Sequence, residues 1–250
     1  SSMSAMRSGV GIVELCTSER AVIPAVTRTP EIIFTALSTD RDGFASAENL
    51  PKILGSLLKS DSAVIGCGLG KTEDTCKLVC EVIRNAKCPL IIDADGINCL
   101  SEHIDVLKEK QTEIILTPHI GELARLCGAS VSEVLSDVIG YAESISDKYG
   151  VIVHAKNTQT VTLYGGKAFI TDFGCSALAK GGSGDMLAGL IGSLCAQGSA
   201  PVEACLLADY IMGRSAKLLC ETNSPRGVLA EDIIACFPKM LWQAERGVIV

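Results

Sequence analysis

The sequence predicts an α/β protein with a mainly parallel sheet, helices on both faces of that sheet, and a small β-hairpin. Two observations lead to this fold class. Short apolar segments alternate with segments of helical periodicity, and glycines or carboxylates directly follow several of the apolar segments. The 250 residues, 48% of them hydrophobic, are enough for one large domain. We find no linker, internal repeat or low-complexity segment, and therefore expect a single domain over 1–250.

The individual elements follow from periodicity and turn residues. Strands are predicted at 10–15, 63–65, 89–93, 113–116 and 151–155. Helices are predicted at 50–58, 75–86, from a capping box at 130–133 to about 149, and at 185–197, 201–220 and 230–244. The segments 160–164 and 167–170 flank Gly165-Gly166 and predict the hairpin. Strands separated by helices indicate a parallel sheet, which binds ligands at the carboxyl ends of its strands.

Composition excludes several classes of protein. The net charge is −7 and the Lys and Arg residues do not cluster, so we expect no nucleic-acid partner. The sequence contains neither an apolar run of the ~18 residues that a membrane span needs nor a signal-peptide pattern. The twelve cysteines form no CxxC pair, which argues against a zinc ribbon or a thioredoxin-like motif. Cys76 and Cys80 fit an apolar helix face, and the whole pattern favours a reducing, cytoplasmic compartment.

The segment 66–72 follows the strand at 63–65 and resembles two phosphate loops without matching either. Only three residues separate Gly66 from Gly70-Lys71, where a P-loop needs four, and Lys71 stands where a dinucleotide fingerprint needs Gly. Glycines allow a backbone to approach a ligand closely. Two interpretations remain: a loop that ligand approaches, or a plain turn between strand and helix.

Asp93 and Asp95 follow the next strand. Carboxylates at this spacing could organise water bound to Mg²⁺ or accept hydrogen bonds from backbone amides. Alternatively, Asp95 is the N-cap of a helix without direct chemistry.

His119, Glu122 and Arg125 surround a helix start after the strand at 113–116. His119 is expected to point off the strand edge, in a functional or a structural role. Glu122 and Arg125 could simply pair with each other on the helix.

Lys180-Gly-Gly-Ser-Gly-Asp185 gives the strongest local signal, since an apolar helical run follows it directly. Helix N-terminal amides freed of side chains by glycine form an anion site. A carboxylate at Asp185 would repel a bound phosphate, but it suits a base that removes a proton from an attacking hydroxyl. The alternative is a glycine-rich helix start capped by Asp.

Four segments in register, 66–70, 93–98, 117–126 and 180–189, resemble the ADP-dependent NAD(P)H-hydrate dehydratase family of the ribokinase-like superfamily. The resemblance covers nearly the whole chain. It implies that ADP or ATP, with Mg²⁺, drives the dehydration of hydrated NADH or NADPH. The implied chemistry is phosphoryl transfer to the ring hydroxyl, followed by elimination of phosphate.

The resemblance also implies roles for particular residues. Asp185 would activate the hydroxyl. The residues expected to contact the hydrated dinucleotide are Gly68, Gly70, His119, Glu122, Arg125 and Asp185. Those expected to hold the nucleotide are Lys156, Asn157, Thr158, Gln159, Thr160, Gly181, Gly182, Ser183 and Gly184. We also expect a homo-oligomer.

Two departures from the family pattern stand out. Lys156-Asn157-Thr158 replaces the usual Lys-Gly-Ala, and Asn157 could keep that turn through a left-handed conformation. The chain also begins at Ser1 inside the family's first helix, so we expect about two dozen residues, including a central strand, to be missing. We expect no epimerase domain before the enzyme.

The sequence leaves two other functions open. One is a ribokinase-like kinase of a vitamin-precursor alcohol. The other is a truncated, non-catalytic protein that binds nucleotide.

Overall fold

The computed structural model describes residues 1–247 and contains two sheets. The strands are β1 (Glu14–Ser18), β2 (Ile33–Leu37), β3 (Ala63–Ile65), β4 (Leu90–Ile92), β5 (Ile114–Leu116), β6 (Ile152–Ala155), β7 (Thr160–Tyr164) and β8 (Lys167–Thr171). β1 and β2 form a separate parallel pair, and the other six strands form one sheet in chain order. Neighbouring strands from β3 to β6 are parallel, whereas β7 and β8 are antiparallel. The predicted fold class and hairpin are confirmed.

Eleven α-helices connect and cover the strands in the described residues. They are α1 (Ser2–Met6), α2 (Glu19–Arg28), α3 (Leu50–Leu57), α4 (Glu73–Asn85), α5 (Asp95–His103), α6 (Ile120–Cys127), α7 (Val131–Ser136), α8 (Val138–Tyr149), α9 (Ser183–Ala196), α10 (Pro201–Cys220) and α11 (Ala230–Glu245). Within 1–247, no helix combines the length and the apolar character that a membrane crossing requires.

Two hydrophobic cores lie on opposite faces of the six-stranded sheet. In β4, Leu90 and Ile92 belong to one core and Ile91 to the other, as the alternation of side chains along a strand requires. The first core includes Val79 of α4, and the second includes Leu190 of α9. Helices therefore cover both faces, as predicted.

Helix α1 packs against α9, on the side of the second hydrophobic core. Ser4 Oγ donates to the carbonyl of Met186 at 2.6 Å, and a Cβ on Gly189 would lie only 2.1 Å from the Ser1 carbonyl oxygen. Glycine at 189 therefore lets α1 lie directly on α9.

Two predicted elements differ from the observed ones. The strand predicted at 10–15 lies at Glu14–Ser18. The helix predicted to reach 149 is two helices, because Asp137 has an extended φ of −153° and its carboxylate caps the amide of Gly140. The capping box at Ser130 and Glu133 is present. The predicted domain also includes 248–250, which lie outside the described residues.

Candidate functional site

The candidate site lies where β3, β4, β5 and β6 end, at one edge of the six-stranded sheet. Asp93 directly follows β4 and is 1% exposed. Its Oδ1 accepts hydrogen bonds from Lys156 Nζ at 2.6 Å and from Thr117 Oγ1 at 2.8 Å. The ends of three neighbouring strands thus supply one charge-paired cluster. Because Asp93 is buried, Lys156 is needed to compensate its charge.

Asp185 approaches this cluster from the first turn of α9. Ligand atoms of Cys67, Asp93 and Asp185 all lie within 4.8 Å of one another. Burial raises the pKa of the Cys67 thiol to about 12, and the two carboxylates add to the increase. Cys67 is therefore a neutral thiol beside the two acids, and it is not suited to act as a nucleophile.

The glycine loop before α9 lies against the same cluster. Gly182 is the helix N-cap with a φ of +89°, a conformation that favours glycine. A Cβ on Gly184 would lie 3.2 Å from Lys156 Nζ and 3.6 Å from Asp93 Oδ2. The first amides of α9 have no acceptor within the helix. The structure therefore places an amide-lined helix start, a lysine and two carboxylates together.

Ser183 provides independent support for a ligand at this helix start. Its Oγ is buried, and no group within 1–247 forms a hydrogen bond with it. A buried hydroxyl without a partner is costly, and a phosphate oxygen at the helix N-terminus would satisfy it. Lys180, at the start of the loop, donates instead to the carbonyls of Arg226 and Val228, each at 2.6 Å.

The three glycines of the loop at 66–70 have different surroundings and different structural roles. A Cβ on Gly66 would lie 1.9 Å from the Asp93 carbonyl oxygen, so Gly66 allows β3 and β4 to stay close. Gly68 has a φ of +63° and open space where a side chain would be. Gly70 donates its amide to Asp95 Oδ2 at 2.8 Å. Of the three, Gly68 has the geometry of a backbone that a ligand can approach.

Asp95 therefore has a structural role in this arrangement. Ala94, and not Asp95, is the N-cap of α5, which corrects the capping alternative. The Asp95 carboxylate instead holds the loop at 66–70 through the Gly70 amide. This is the backbone-amide role considered for Asp93 and Asp95.

His119 caps α6, and Glu122 completes its capping box. The Nδ1 of His119 accepts from the amides of Gly121 at 3.0 Å and Glu122 at 3.3 Å, and Glu122 Oε2 accepts from the His119 amide at 2.8 Å. Arg125 Nε donates to Asn98 Oδ1 at 3.0 Å, so its hydrogen-bond partner is not Glu122. Partial burial and the charges of Lys156 and Arg125 lower the pKa of His119, while burial raises the pKa of Glu122.

The residues at 156–159, which are predicted to hold the nucleotide, lie in two different environments. Lys156 belongs to the acidic cluster, whereas Asn157, Thr158 and Gln159 line a cleft of about 500 Å³. The junction of α7 and α8 and the end of β8 form the rest of its wall. Ala94 is the single non-glycine residue with positive φ within 1–247, so Asn157 does not use the left-handed conformation that was considered for it.

Sequence reasoning did not assign Cys67, Thr117 or Asn98 to the site. All three stand inside the four segments that carry the family resemblance, and for Cys67 and Thr117 the position after β3 and β5 was a usable signal. Asn98 lies one helical turn after Asp95, and the spacing gave no indication that it would accept from Arg125 on another helix.

Comparison with solved structures establishes the class of the fold. The chain is similar to a hydroxyethylthiazole kinase from Pyrococcus horikoshii, with a TM-score of 0.66 at 15% identity over 95% of this chain and 91% of that one. It is also similar to a ribokinase-like superfamily protein from Enterococcus faecalis, with a TM-score of 0.82 at 22% identity, covering 97% and 80%. These likenesses show a ribokinase-like fold.

Sequence comparison narrows the class to a family. The family model described as NAD(P)H-hydrate dehydratase matches residues 1–239. An ADP-dependent (S)-NAD(P)H-hydrate dehydratase from Bacillus subtilis is 32% identical over 241 residues, which cover 95% of this chain and 81% of that protein. The chain belongs to the NAD(P)H-hydrate dehydratase family, and the family prediction is confirmed.

Two further relatives are a member that was crystallised with a nucleotide and a longer, bifunctional member. A Bacillus subtilis ADP/ATP-dependent NAD(P)H-hydrate dehydratase, co-crystallised with ATP and Mg²⁺, has a TM-score of 0.81 at 29% identity and covers 97% and 84%. A bifunctional NAD(P)H-hydrate repair enzyme from Thermofilum pendens is 32% identical over 96% of this chain. The chain spans less than half of that protein and of other bifunctional relatives.

Proposed function

We propose that this chain dehydrates hydrated NADH or NADPH and consumes ADP or ATP as the phosphoryl donor. One observation carries the proposal: the helix start at Gly182–Asp185, with the unpartnered Ser183 hydroxyl, lies beside Lys156 and Asp93. Amides and a cation suit a phosphoryl group, and a carboxylate suits the proton of an attacking hydroxyl. Family membership supplies the substrate class.

Asp185 is proposed as the base. The hydroxyl of the hydrated ring gives its proton to the Asp185 carboxylate, and its oxygen forms a bond to the terminal phosphorus of the nucleotide while the bond to the departing nucleotide breaks. Asp93 is less suited to this role, because Lys156 and Thr117 both bind its Oδ1 and only its Oδ2 remains free of them.

Elimination then completes the reaction. The phosphorylated ring loses inorganic phosphate with the help of the nitrogen electron pair of the ring, the neighbouring carbon gives its proton to water, and the dihydronicotinamide is restored. Phosphate leaves far more readily than hydroxide, which explains the need for a nucleotide. The amides at the start of α9 and Lys156 would stabilise negative charge on the transferred group.

The acidic residues fit Mg²⁺ only in part. Asp95 accepts from the Gly70 amide and Asp93 Oδ1 from Lys156, whereas neither contact engages the nearby Asp185 carboxylate, so Asp185 is the residue proposed to hold water around a metal. Bound Mg²⁺ would screen the phosphates of the nucleotide. We propose that the metal arrives with the nucleotide and interacts with Asp185 through water.

The cleft beside Asn157, Thr158 and Gln159 is proposed to receive the base and ribose of the nucleotide. Lys156 directly precedes these residues and reaches the helix start at Gly184, so the segment connects the cleft with the anion site. The volume of about 500 Å³ lies within the range of small-molecule sites.

The test is an assay with purified protein, hydrated NADH and Mg²⁺, with ADP and ATP in parallel. We expect NADH absorbance to return only when a nucleotide is present. Phosphorylation of a vitamin-precursor alcohol without activity on the hydrate would favour the kinase instead. A rise in melting temperature on adding ADP, without either activity, would indicate a non-catalytic nucleotide-binding protein.

A further inference from the structure

Phe44 is a half-exposed aromatic residue that lies directly on the loop at 66–70. A Cβ built on Gly70 would lie 2.2 Å from Phe44 Cε1 and 2.3 Å from Cδ1, so the ring edge contacts the glycine backbone itself. The residue is nevertheless 36% exposed. Aromatic residues make up only 4% of the chain, and this one lies against the loop that follows β3.

The segment that carries Phe44 is held by its own hydrogen bonds. Asp40 Oδ1 accepts from the amides of Asp42 and Phe44, each at 2.9 Å, and the Asp40 amide donates to the Phe44 carbonyl at 2.9 Å. Thr39 and Ala45 form an antiparallel bridge across the turn. These contacts fix the backbone of the turn, so a ligand could use the ring without the cost of ordering a loop.

The segment that carries Phe44 is also fixed to α4, which packs on the six-stranded sheet. The Ala47 amide donates to Asp74 Oδ2 in the first turn of α4, at 2.9 Å. Gly70, below the ring, is fixed by Asp95. Phe44 therefore keeps a constant position relative to β3 and β4, although β1 and β2 belong to a different sheet.

Gly68 and Phe44 together define an approach for a ligand. The backbone at Gly68 is open, whereas Gly70 is covered by the ring. A ligand that meets Gly68 would pass along an exposed aromatic wall on one side. On the other side of Gly68, Cys67 leads to Asp185, where the reacting ring is proposed to lie.

We infer that Phe44 contacts the adenine ring of the hydrated dinucleotide and thereby selects a dinucleotide over a mononucleotide. This inference rests on the proposed function. Adenine is planar and aromatic, whereas the hydrated ring has a saturated carbon, so adenine is the better partner for an aromatic side chain. Gly70, which Phe44 contacts, lies three residues along the chain from Cys67. This position of the Phe44 ring, away from Asp185, suits the end of the substrate that does not react.

The experiment compares Phe44→Ala, Phe44→Leu and Phe44→Tyr with the unchanged chain. Leucine keeps an apolar contact with Gly70 but has no aromatic face, and tyrosine keeps that face. We expect KM for hydrated NADH to rise about three- to tenfold in the Ala and Leu variants, with kcat and KM for ADP unchanged. The Tyr variant should stay within twofold of the unchanged chain.

A second substrate identifies the ring that Phe44 contacts. Hydrated, reduced nicotinamide mononucleotide lacks the adenosine half, so its KM should be the same in all four proteins. An equal rise in KM for both substrates would overturn the adenine contact. A normal KM in the Leu variant would show that Phe44 only packs on Gly70. If the unchanged chain did not turn over the hydrate, the proposed function itself would fail.

Discussion

The two sheets of this protein differ in burial and in what they carry. β4 and β5 are fully buried, and the polar side chains after them form the candidate site. The residues of β1 and β2 are mostly half-exposed, and Ile33 is 53% exposed. The six-stranded sheet thus holds the charged groups in a rigid frame, whereas the turn with Phe44 follows the last strand of the two-stranded sheet. Substitutions in the two sheets should therefore differ in kind and in size.

The largest effect is expected at Asp185, the proposed base beside the six-stranded sheet. Asp185→Asn removes the proton acceptor and keeps the shape, so kcat should fall by about 10²- to 10⁴-fold. The melting temperature should stay close to that of the unchanged chain. Asp147→Asn, on the exposed surface of α8, is the matched control and should leave kcat unchanged. Full turnover by the Asp185 variant would refute the mechanism while leaving the function open.

Lys156→Met is expected to have the next largest effect. The substitution leaves the buried Asp93 without its cation, and breaking a buried ion pair on one side costs about 3–5 kcal/mol. Urea unfolding measures this loss. Adding Asp93→Asn to the same chain removes the uncompensated charge and should restore part of the stability. A double variant no more stable than Lys156→Met would show that Lys156 does not act through Asp93.

A pair of isoleucines tests the difference in burial directly. Ile92 in β4 is fully buried and Ile33 in β2 is 53% exposed. Ile92→Ala should lower the free energy of unfolding by about 2–5 kcal/mol, since it leaves a cavity in a packed core. Ile33→Ala, the same change on the exposed sheet, should cost about 0.5 kcal/mol or less. Similar losses at both positions would show that the two-stranded sheet is as well packed as the main one.

The same difference explains which elements could be predicted from the sequence. The strands β3 to β6 are short and mainly apolar, and polar residues or glycine follow each of them, so they could be found from the sequence. β2 and α2 were not assigned, because their half-buried residues do not form a clean pattern. Periodicity also cannot show the break at Asp137, which depends on the φ of a single residue.

The candidate site could be predicted where it depends on local sequence. Motif positions indicated Asp185, His119 and the glycine loops, whereas pairings between distant residues were not visible. Lys156 binds Asp93 across 63 positions, and Phe44 covers Gly70 from a turn that follows β2. Such contacts depend on how the chain folds back, and neither spacing nor residue type specifies them.

The smallest expected effect concerns the pH dependence of stability at the end of β5. Partial burial, Lys156 and Arg125 hold the pKa of His119 below the value of about 6.5 in an unfolded chain. The unfolded chain therefore binds the proton more readily, so this contribution to stability is complete above pH ~6.5 and is lost as the pH falls through the folded pKa. Protonation would also remove the Nδ1 acceptor that caps the amide of Gly121.

His119→Asn separates the capping role from the titration. Asparagine caps helices well and does not titrate, so the variant should keep its stability at pH 8 and lose less of it than the unchanged chain on acidification to pH 5. Urea unfolding at a series of pH values gives both slopes. His103→Asn, at the exposed end of α5, controls for the loss of an imidazole elsewhere. Equal slopes in the His119 variant and the unchanged chain would show that the capping histidine does not set the pH dependence at this edge.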